Sequence, residues 1–219
     1  MKSDLTIVYA TACKIPAKFA DNILAQLHKA AGDYPIKMAI DKPSESSITN
    51  YYRSLLEIAK QIKTPYLAIA EDDTLYPPEH FTTYRPPLDT FAYNFNRWNI
   101  HTWQDPPFYS LRQRKILATL IAPRELFIEA VEERLAKHPS SKVSLEWFGE
   151  PGRQYYERKF GITERKSTTF ATYVPVLVFS HEQSFGFETT GKNKRAGKIR
   201  ALEIPLWGRA SDIIKLYKE

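Results

Sequence analysis

The chain has 219 residues, 43% of them hydrophobic and 26% charged, which is the size and balance of one globular domain with a sizeable core. No apolar run approaches the ~20 residues that a membrane-spanning helix needs, and the single cysteine, Cys13, rules out an intramolecular disulfide. The net charge of +6 favours polyanionic partners such as nucleic acid, an anionic membrane or phosphate groups.

Taken in order, the N-terminal segment MKSDLTIVYATAC lacks the apolar core of a signal peptide and runs straight into a strand-like stretch, Leu5 to Tyr9. With no disulfide to form, a reducing, cytoplasmic setting is expected, and Cys13 is read as a small buried residue. Small residues, Ala10 and Thr11, follow that strand. After Pro16 an amphipathic pattern places Phe19, Ile23, Leu24 and Leu27 on one face, and Gly32 stops it. Ile36 to Ile40 reads as a second strand, closed by Asp41. Ser44 to Thr49 carries helix-cap chemistry, and a helix follows to about Lys63 with a stripe of Ile48, Tyr52, Leu55, Ile58 and Ile62. Pro65 to Pro78, PYLAIAEDDTLYPP, then gives a third strand that ends in three consecutive carboxylates.

Strand, helix, strand, helix, strand is the alternation of an open parallel α/β sheet. Right-handed crossovers put the three strand ends on one edge, where such sheets bind ligands. Beyond residue 76 the pattern changes. Phe91 to Phe95 reads as a half-buried strand with which Ile100 to Trp103 can pair. Ile116 to Ala122 reads as another strand, and Pro123 occupies the first position of a helix running to about His138. Val143 to Phe148 is a further strand candidate, Gln154 to Phe160 a helix, and Thr168 to Phe179 a β-rich stretch interrupted by Pro175. Basic residues cluster at Arg112 to Lys115, at Arg153 to Lys166 and in the loop Lys192 to Arg200 (KNKRAGKIR), and a last helix turns Ile213, Ile214 and Leu216 inward.

The residues that carry chemistry begin with Glu71, Asp72 and Asp73. Adjacent carboxylates at the end of a buried strand repel one another, and a hard divalent cation with phosphate ligands relieves that repulsion. Strand alternation points Glu71 and Asp73 one way and Asp72 the other; the plain alternative is a solvated acidic turn. His181 follows its own apolar run and is either a structural residue or a ligand for Mn²⁺ or Zn²⁺. The glycine-bearing basic loop, with Lys192, Lys194, Arg195 and Lys198, suits a diphosphate or is simply a solvated surface loop. Asn50 and Arg53, three apart on a helix, reach a nucleotide or are exposed polar positions. No G-x-G-x-x-G, no P-loop and no G-x-S-x-G elbow is present.

On Glu71-Asp72-Asp73, His181, the strand ends Ala10-Thr11 and Asp41, the pair Asn50 and Arg53, and the late basic loop, the chain resembles small GT-A fold glycosyltransferases. The resemblance implies a single α/β domain over 1–219, a mixed open sheet with flanking helices, in which 1–75 forms a nucleotide-binding half and 76–219 an acceptor half. It implies Mn²⁺ or Mg²⁺ on Asp73, Asp72 and His181. It implies nucleotide contacts from Ala10, Thr11, Asp41, Asn50, Arg53 and Glu71, and diphosphate contacts from Lys192, Lys194, Arg195 and Lys198. The donor it implies is a nucleoside-diphosphate sugar, with a UDP-sugar first. The acidic motif is E-D-D rather than D-x-D, which leaves Asp73 its best-placed ligand. An inverting enzyme needs a carboxylate base, for which Glu150 in FGEPGR comes first and Glu146 second. The aromatic residues Trp98, Trp103, Phe108, Tyr109, Tyr155 and Tyr156 suit a sugar platform or a nucleic acid. One branch of such enzymes glycosylates hydroxymethylated bases in phage DNA, which would place this chain in a host cytoplasm. Two readings of other classes stand beside this one: a non-catalytic, basic nucleic-acid-binding α/β domain, and a metal-dependent phosphohydrolase or nuclease.

Overall fold

The computed structural model describes residues 3–41, 47–139, 149–184 and 197–218. β1 (Leu5–Thr11), β2 (Ile36–Ile40) and β3 (Tyr66–Glu71) pair in parallel with β1 in the centre, and α1 (Ala17–Ala31) and α2 (Ile48–Gln61) make the crossovers. All seven residues of β1 are buried. The period of two explains why: Leu5, Ile7 and Tyr9 face one core, with α1, while Val8 and Ala10 face the other, with α2. β3 divides likewise, Ala68 and Ala70 against Leu67 and Ile69. Gly32 closes α1 at φ +55°, a conformation that costs a residue without a Cβ little. Ser47 caps α2, its hydroxyl accepting from the Asn50 N–H at 3.2 Å.

The same sheet continues through strands from the second half of the chain. Its order is β2-β1-β3-β8-β5-β9, where β5 is Thr90–Asn94, β8 is Leu120–Pro123 and β9 is Lys166–Phe170. β8 runs antiparallel to both of its neighbours, which makes the sheet mixed. A second sheet contains β4 (Thr74–Leu75), β6 (Arg97–His101), β7 (Tyr109–Leu111), β10 (Val176–Ser180) and β11 (Arg200–Ala201), in the order β11-β7-β6-β10-β4. A short hairpin of β12 (Glu203–Ile204) and β13 (Gly208–Arg209) completes the strands among the described residues. α3 (Glu79–Thr82), α4 (Arg124–Lys137) and α5 (Gln154–Lys159) pack around these sheets, and two single turns, α6 (Ala210–Ile213) and α7 (Lys215–Lys218), replace the one terminal helix expected. The fold is thus the mixed open sheet with flanking helices that the resemblance implies, and the alternation of the first half accounts for its three parallel strands. No helix among the described residues is long and apolar enough to cross a membrane.

Four local expectations are corrected. Ile100 does not pair with Phe91 to Phe95: Phe95 and Asn96 separate β5 from its strand, β6, which lies parallel to β10 in the other sheet. Ile116 to Ala122 is not one strand; Leu117–Thr119 forms a 3-10 turn before β8 begins. Pro123 caps α4 with an extended ψ of 129° and so stands one residue outside it. Cys13 is exposed, at φ +53°, on the turn that leaves β1. The strand candidate Val143 to Phe148 lies outside the described residues.

α4 and α5 are joined by an ion pair with almost no solvent contact, Arg134 Nη2 to Glu157 Oε1 at 2.6 Å. Glu157 also accepts from the backbone N–H groups of Gly152 at 2.8 Å and Arg165 at 3.0 Å. This one carboxylate therefore holds the turn that contains Glu150. Gly152 sits in that turn at φ +76°, and a Cβ there would lie 2.7 Å from the Cβ of Ser167.

Candidate functional site

The parallel strands deliver their C-terminal ends to one edge. In register, Thr11 lies opposite Ile40 and Ala10 opposite Glu71, and the Asp41 N–H donates to the Thr11 carbonyl at 2.8 Å. Thr11, the buried Asp41, and Glu71 to Asp73 are thereby gathered within a few residues of one another.

The three carboxylates diverge, each toward its own partner. Glu71 accepts from the Tyr51 hydroxyl of α2 at 2.7 Å. Asp72 accepts from the Thr11 hydroxyl at 2.5 Å, and that hydroxyl in turn accepts from the Cys13 N–H at 3.0 Å. Asp73 faces His181, with Oδ2 3.4 Å from Nε2, and its Oδ1 accepts from the Thr74 hydroxyl at 2.9 Å. A simple two-way strand alternation does not describe this, because β3 ends at Glu71 and a turn separates it from β4.

The two sheets meet at this turn. β4 pairs antiparallel with β10, Thr74 opposite Val178, and the Phe179 N–H donates to the Asp73 carbonyl at 2.8 Å. The C-terminal end of β10 is thereby laid against Asp73, although the two are about a hundred residues apart in sequence. The His181 ring is 5% exposed and stacks on Tyr217 of α7 with centroids 6.1 Å apart; its Nδ1 has no hydrogen-bond partner among the described residues. Tyr76 braces the turn: its hydroxyl accepts from the Glu71 N–H at 3.0 Å and donates to the Ala118 carbonyl at 2.9 Å.

The electrostatics follow from this crowding. Burial, then the charges of Asp73 and Asp72, push the Glu71 carboxyl up to about 8, against the opposing Tyr51 hydrogen bond. Burial and Asp73 raise Asp72 to about 6, opposed by the Thr11 hydroxyl and by His181. The same negative field and burial hold the Tyr51 hydroxyl in its protonated, donating form. A carboxyl whose folded pKa exceeds its unfolded value stabilises the fold below the unfolded pKa, and that contribution fades as pH rises through the folded pKa. In a chelator, stability should fall between pH 5 and pH 8, and Glu71→Gln should flatten the fall. Discounted for partial exposure, the Glu71 contribution is about 1 kcal/mol, or about 2–4 °C of Tm. Thermal melts across that range measure it, and an unchanged slope in the variant would contradict the assignment.

Other residues singled out from sequence are distributed as follows. Arg53 is exposed; its guanidinium donates to the Asn50 side-chain oxygen at 2.8 Å and to the Pro139 carbonyl at 2.9 Å. Glu150 accepts from the Arg153 guanidinium at 2.5 Å, and Tyr52, beside Tyr51, donates to the neighbouring Gly149 carbonyl at 3.4 Å. Lys198 is exposed just before β11. Glu146, Lys192, Lys194 and Arg195 lie outside the described residues. Tyr109 is fully buried, whereas Tyr155 is largely exposed. The sequence reading missed Tyr51 and Tyr217, for which no local signal exists, and it named Arg153 only as the start of a basic cluster and not as the partner of Glu150.

Among the described residues no three His, Cys, Asp or Glu side chains converge as a metal-binding group. Of the expected ligands Asp73, Asp72 and His181, Asp72 is turned toward Thr11, whereas Asp73 and His181 lie side by side. That pair fits a cation that takes one or two protein ligands and completes its shell with phosphate and water, and the buried imidazole beside a carboxylate is the feature that fits.

No family model matches the sequence, and no curated protein matches it. Among solved structures the chain is similar to a glycosyltransferase involved in the glycosylation of the major capsid of PBCV-1, with a TM-score of 0.49 and 10% identity over 80% of this chain and 93% of that one. It is similar to the catalytic domain of Drosophila β1,4-galactosyltransferase 7 in complex with xylobiose, with a TM-score of 0.43 and 9% identity over 75% of this chain and 63% of that one. It is also similar to a nucleotidyl transferase from Methanothermobacter thermautotroptrophicus, with a TM-score of 0.36 and 10% identity over 59% and 76%.

Proposed function

We propose that the chain is a GT-A-like, metal-dependent glycosyltransferase that moves a sugar from a nucleoside-diphosphate sugar to an acceptor hydroxyl. The observation that carries this reading is the meeting of Asp73 and His181, 3.4 Å apart, at the edge where the three parallel strands end. A fold with only a structural use for these groups has no reason to gather Asp41, Glu71, Asp72 and Asp73 at one partly buried edge, where two of them are driven toward protonation.

In this reading Asp73 and His181 would hold Mn²⁺ or Mg²⁺, which would supply charge neutralisation for the departing diphosphate. Asp41, Thr11 and Asp72 offer hydrogen-bonding groups for the nucleoside. The Thr11–Asp72 hydrogen bond fixes the rotamers of both, so the nucleoside meets a set surface. Tyr51 anchors Glu71 through its hydroxyl. Glu150, held through one oxygen by Arg153, takes the proton from the acceptor hydroxyl if the reaction inverts configuration; a retaining reaction uses no base there.

The test is thermal stabilisation by a panel of nucleoside diphosphates, UDP first, with and without Mn²⁺. At 100-fold saturation a bound ligand adds about 2.7 kcal/mol, a shift of several degrees. The expected result is a shift with at least one diphosphate that requires the cation. No cation-dependent shift with any of them would sink the reading.

A further inference from the structure

A separate cleft lies against Arg153, the partner of Glu150. With a volume of about 510 Å³, it opens between the segment after β7 and the turn before α5, and Phe95, Arg114, Lys115, Arg153, Tyr155 and Ser167 are among its lining residues. That volume suits a mono- or disaccharide-sized ligand. Its walls are cationic. Arg153 lies over the Tyr156 ring at 4.3 Å, which fixes its guanidinium. Lys115 donates to the Ser167 hydroxyl at 2.6 Å, a neutral partner, and that hydroxyl donates to the Gly152 carbonyl at 2.5 Å. Arg97, 4% exposed at the start of β6, donates from Nε to the Arg112 carbonyl at 2.9 Å.

Arg97, Arg112, Arg114, Lys115 and Arg153 therefore crowd one region, and the carboxylate that pairs with a member of this group is Glu150, through Arg153. Arg112, Arg114 and Lys115 form no ion pair among the described residues. The crowding is unfavourable in the free protein: burial and the charges of Arg112 and Arg114 push Arg97 down to about 9, and burial with Arg153 lowers Lys115. A guanidinium keeps its proton in proteins, so the strain persists as unneutralised positive charge. A half-buried group of cations with too few anions is the electrostatic complement of an anionic ligand.

We infer that this cleft binds the acceptor, and that the acceptor is a small hydroxylated molecule, a sugar or polyol, carrying a phosphate or carboxylate group seated on Arg114, Lys115 and Arg153. The inference rests on the transferase reading and adds the acceptor's chemical class to it. The anionic group sits at the basic end and an acceptor hydroxyl lies toward Glu150, whose Oε2 is gripped by Arg153 while Oε1 is free of hydrogen bonds among the described residues. In the transfer the acceptor oxygen bonds to the anomeric carbon of the donor sugar. The bond from that carbon to the diphosphate oxygen breaks, its electron pair leaves with the diphosphate, and the hydroxyl proton passes to Glu150.

Calorimetric titration of the full chain with glycerol 3-phosphate, glucose 6-phosphate and glucuronate, against glycerol and glucose, tests this. Charged probes should bind at least tenfold more tightly than their neutral counterparts. Arg114→Ala and Lys115→Met, both at solvent-accessible positions, should each weaken charged-probe binding by about tenfold. Asp73→Ala should leave it unchanged, so this result is read separately from nucleoside-diphosphate binding at the strand edge. Equal binding of neutral probes overturns the inference, as does charged-probe binding that both cleft variants leave intact or that Asp73→Ala abolishes. Binding of a single-stranded oligonucleotide with no binding of the small charged probes overturns it in favour of a nucleic-acid surface.

Discussion

Asp73→Ala should remove the Mn²⁺-dependent thermal shift given by nucleoside diphosphates and lower transfer or donor hydrolysis by about 100-fold or more. Asp72→Asn should cost far less, about tenfold. The contrast comes from where the two side chains are directed. Asp73 Oδ2 lies 3.4 Å from His181 Nε2, whereas Asp72 accepts from the Thr11 hydroxyl and is turned away from the imidazole. His181→Ala should follow Asp73→Ala in direction. A second readout separates loss of a ligand from loss of the fold. The charge of Asp73 raises both Glu71 and Asp72, so removing it should increase Tm at pH 8 in a chelator, while lowering the cation-dependent increment. Initial rates and melts with and without Mn²⁺ measure both. If the variant keeps the full cation-dependent shift, Asp73 is not a metal ligand.

Glu157→Ala should produce the largest loss of stability, about 3–5 kcal/mol, because removing one partner of a buried pair strands the other charge. Here the loss extends further. The carboxylate serves Arg134 from α4, the Gly152 N–H and the Arg165 N–H, all buried, so alanine removes the acceptor that these three groups share. At about 2–4 °C per kcal/mol for a chain of this size, the expected fall in Tm is about 6–20 °C. Replacing the ion pair with apolar residues, Arg134→Met with Glu157→Leu, should recover only part of this, since the two backbone donors stay unpaired. The turn carrying Glu150 and Gly152 loses its anchor as well, so activity should fall at temperatures where the variant is still folded. Urea unfolding measures the first effect, and a loss below about 1 kcal/mol would show that the pair is not the hub described here.

The first half of the chain was legible because its constraints are local. β1 and β3 are continuous apolar runs because both of their faces are covered, and α1 and α2 show their buried stripes at helical spacing. Gly32, Ser47 and Pro65 mark boundaries by backbone chemistry alone. The second half was less so. The hydrophobic content of Ile116 to Ala122 is the same whether it forms a strand or a 3-10 turn leading into one, and nothing in Ile100 to Trp103 states which sheet it joins. Those choices depend on partners far along the chain, such as β10 for β6 and β9 for β5.

At the candidate site the same division holds. The sequence by itself determined that a carboxylate run ends a buried strand, that a histidine ends another, and that Glu150 sits in a turn, because each is a matter of residue type against local periodicity. Only the tertiary structure decided that the three carboxylates separate toward Tyr51, Thr11 and His181, and that β4 against β10 brings His181 to Asp73. It also gathered Arg114, Lys115 and Arg153 around one cleft. The physical reason is that charge and hydrogen bonding act over a few ångströms in space, whereas hydrophobic periodicity acts along the chain. The first is therefore settled by which strands pair, and the second by the order of the residues.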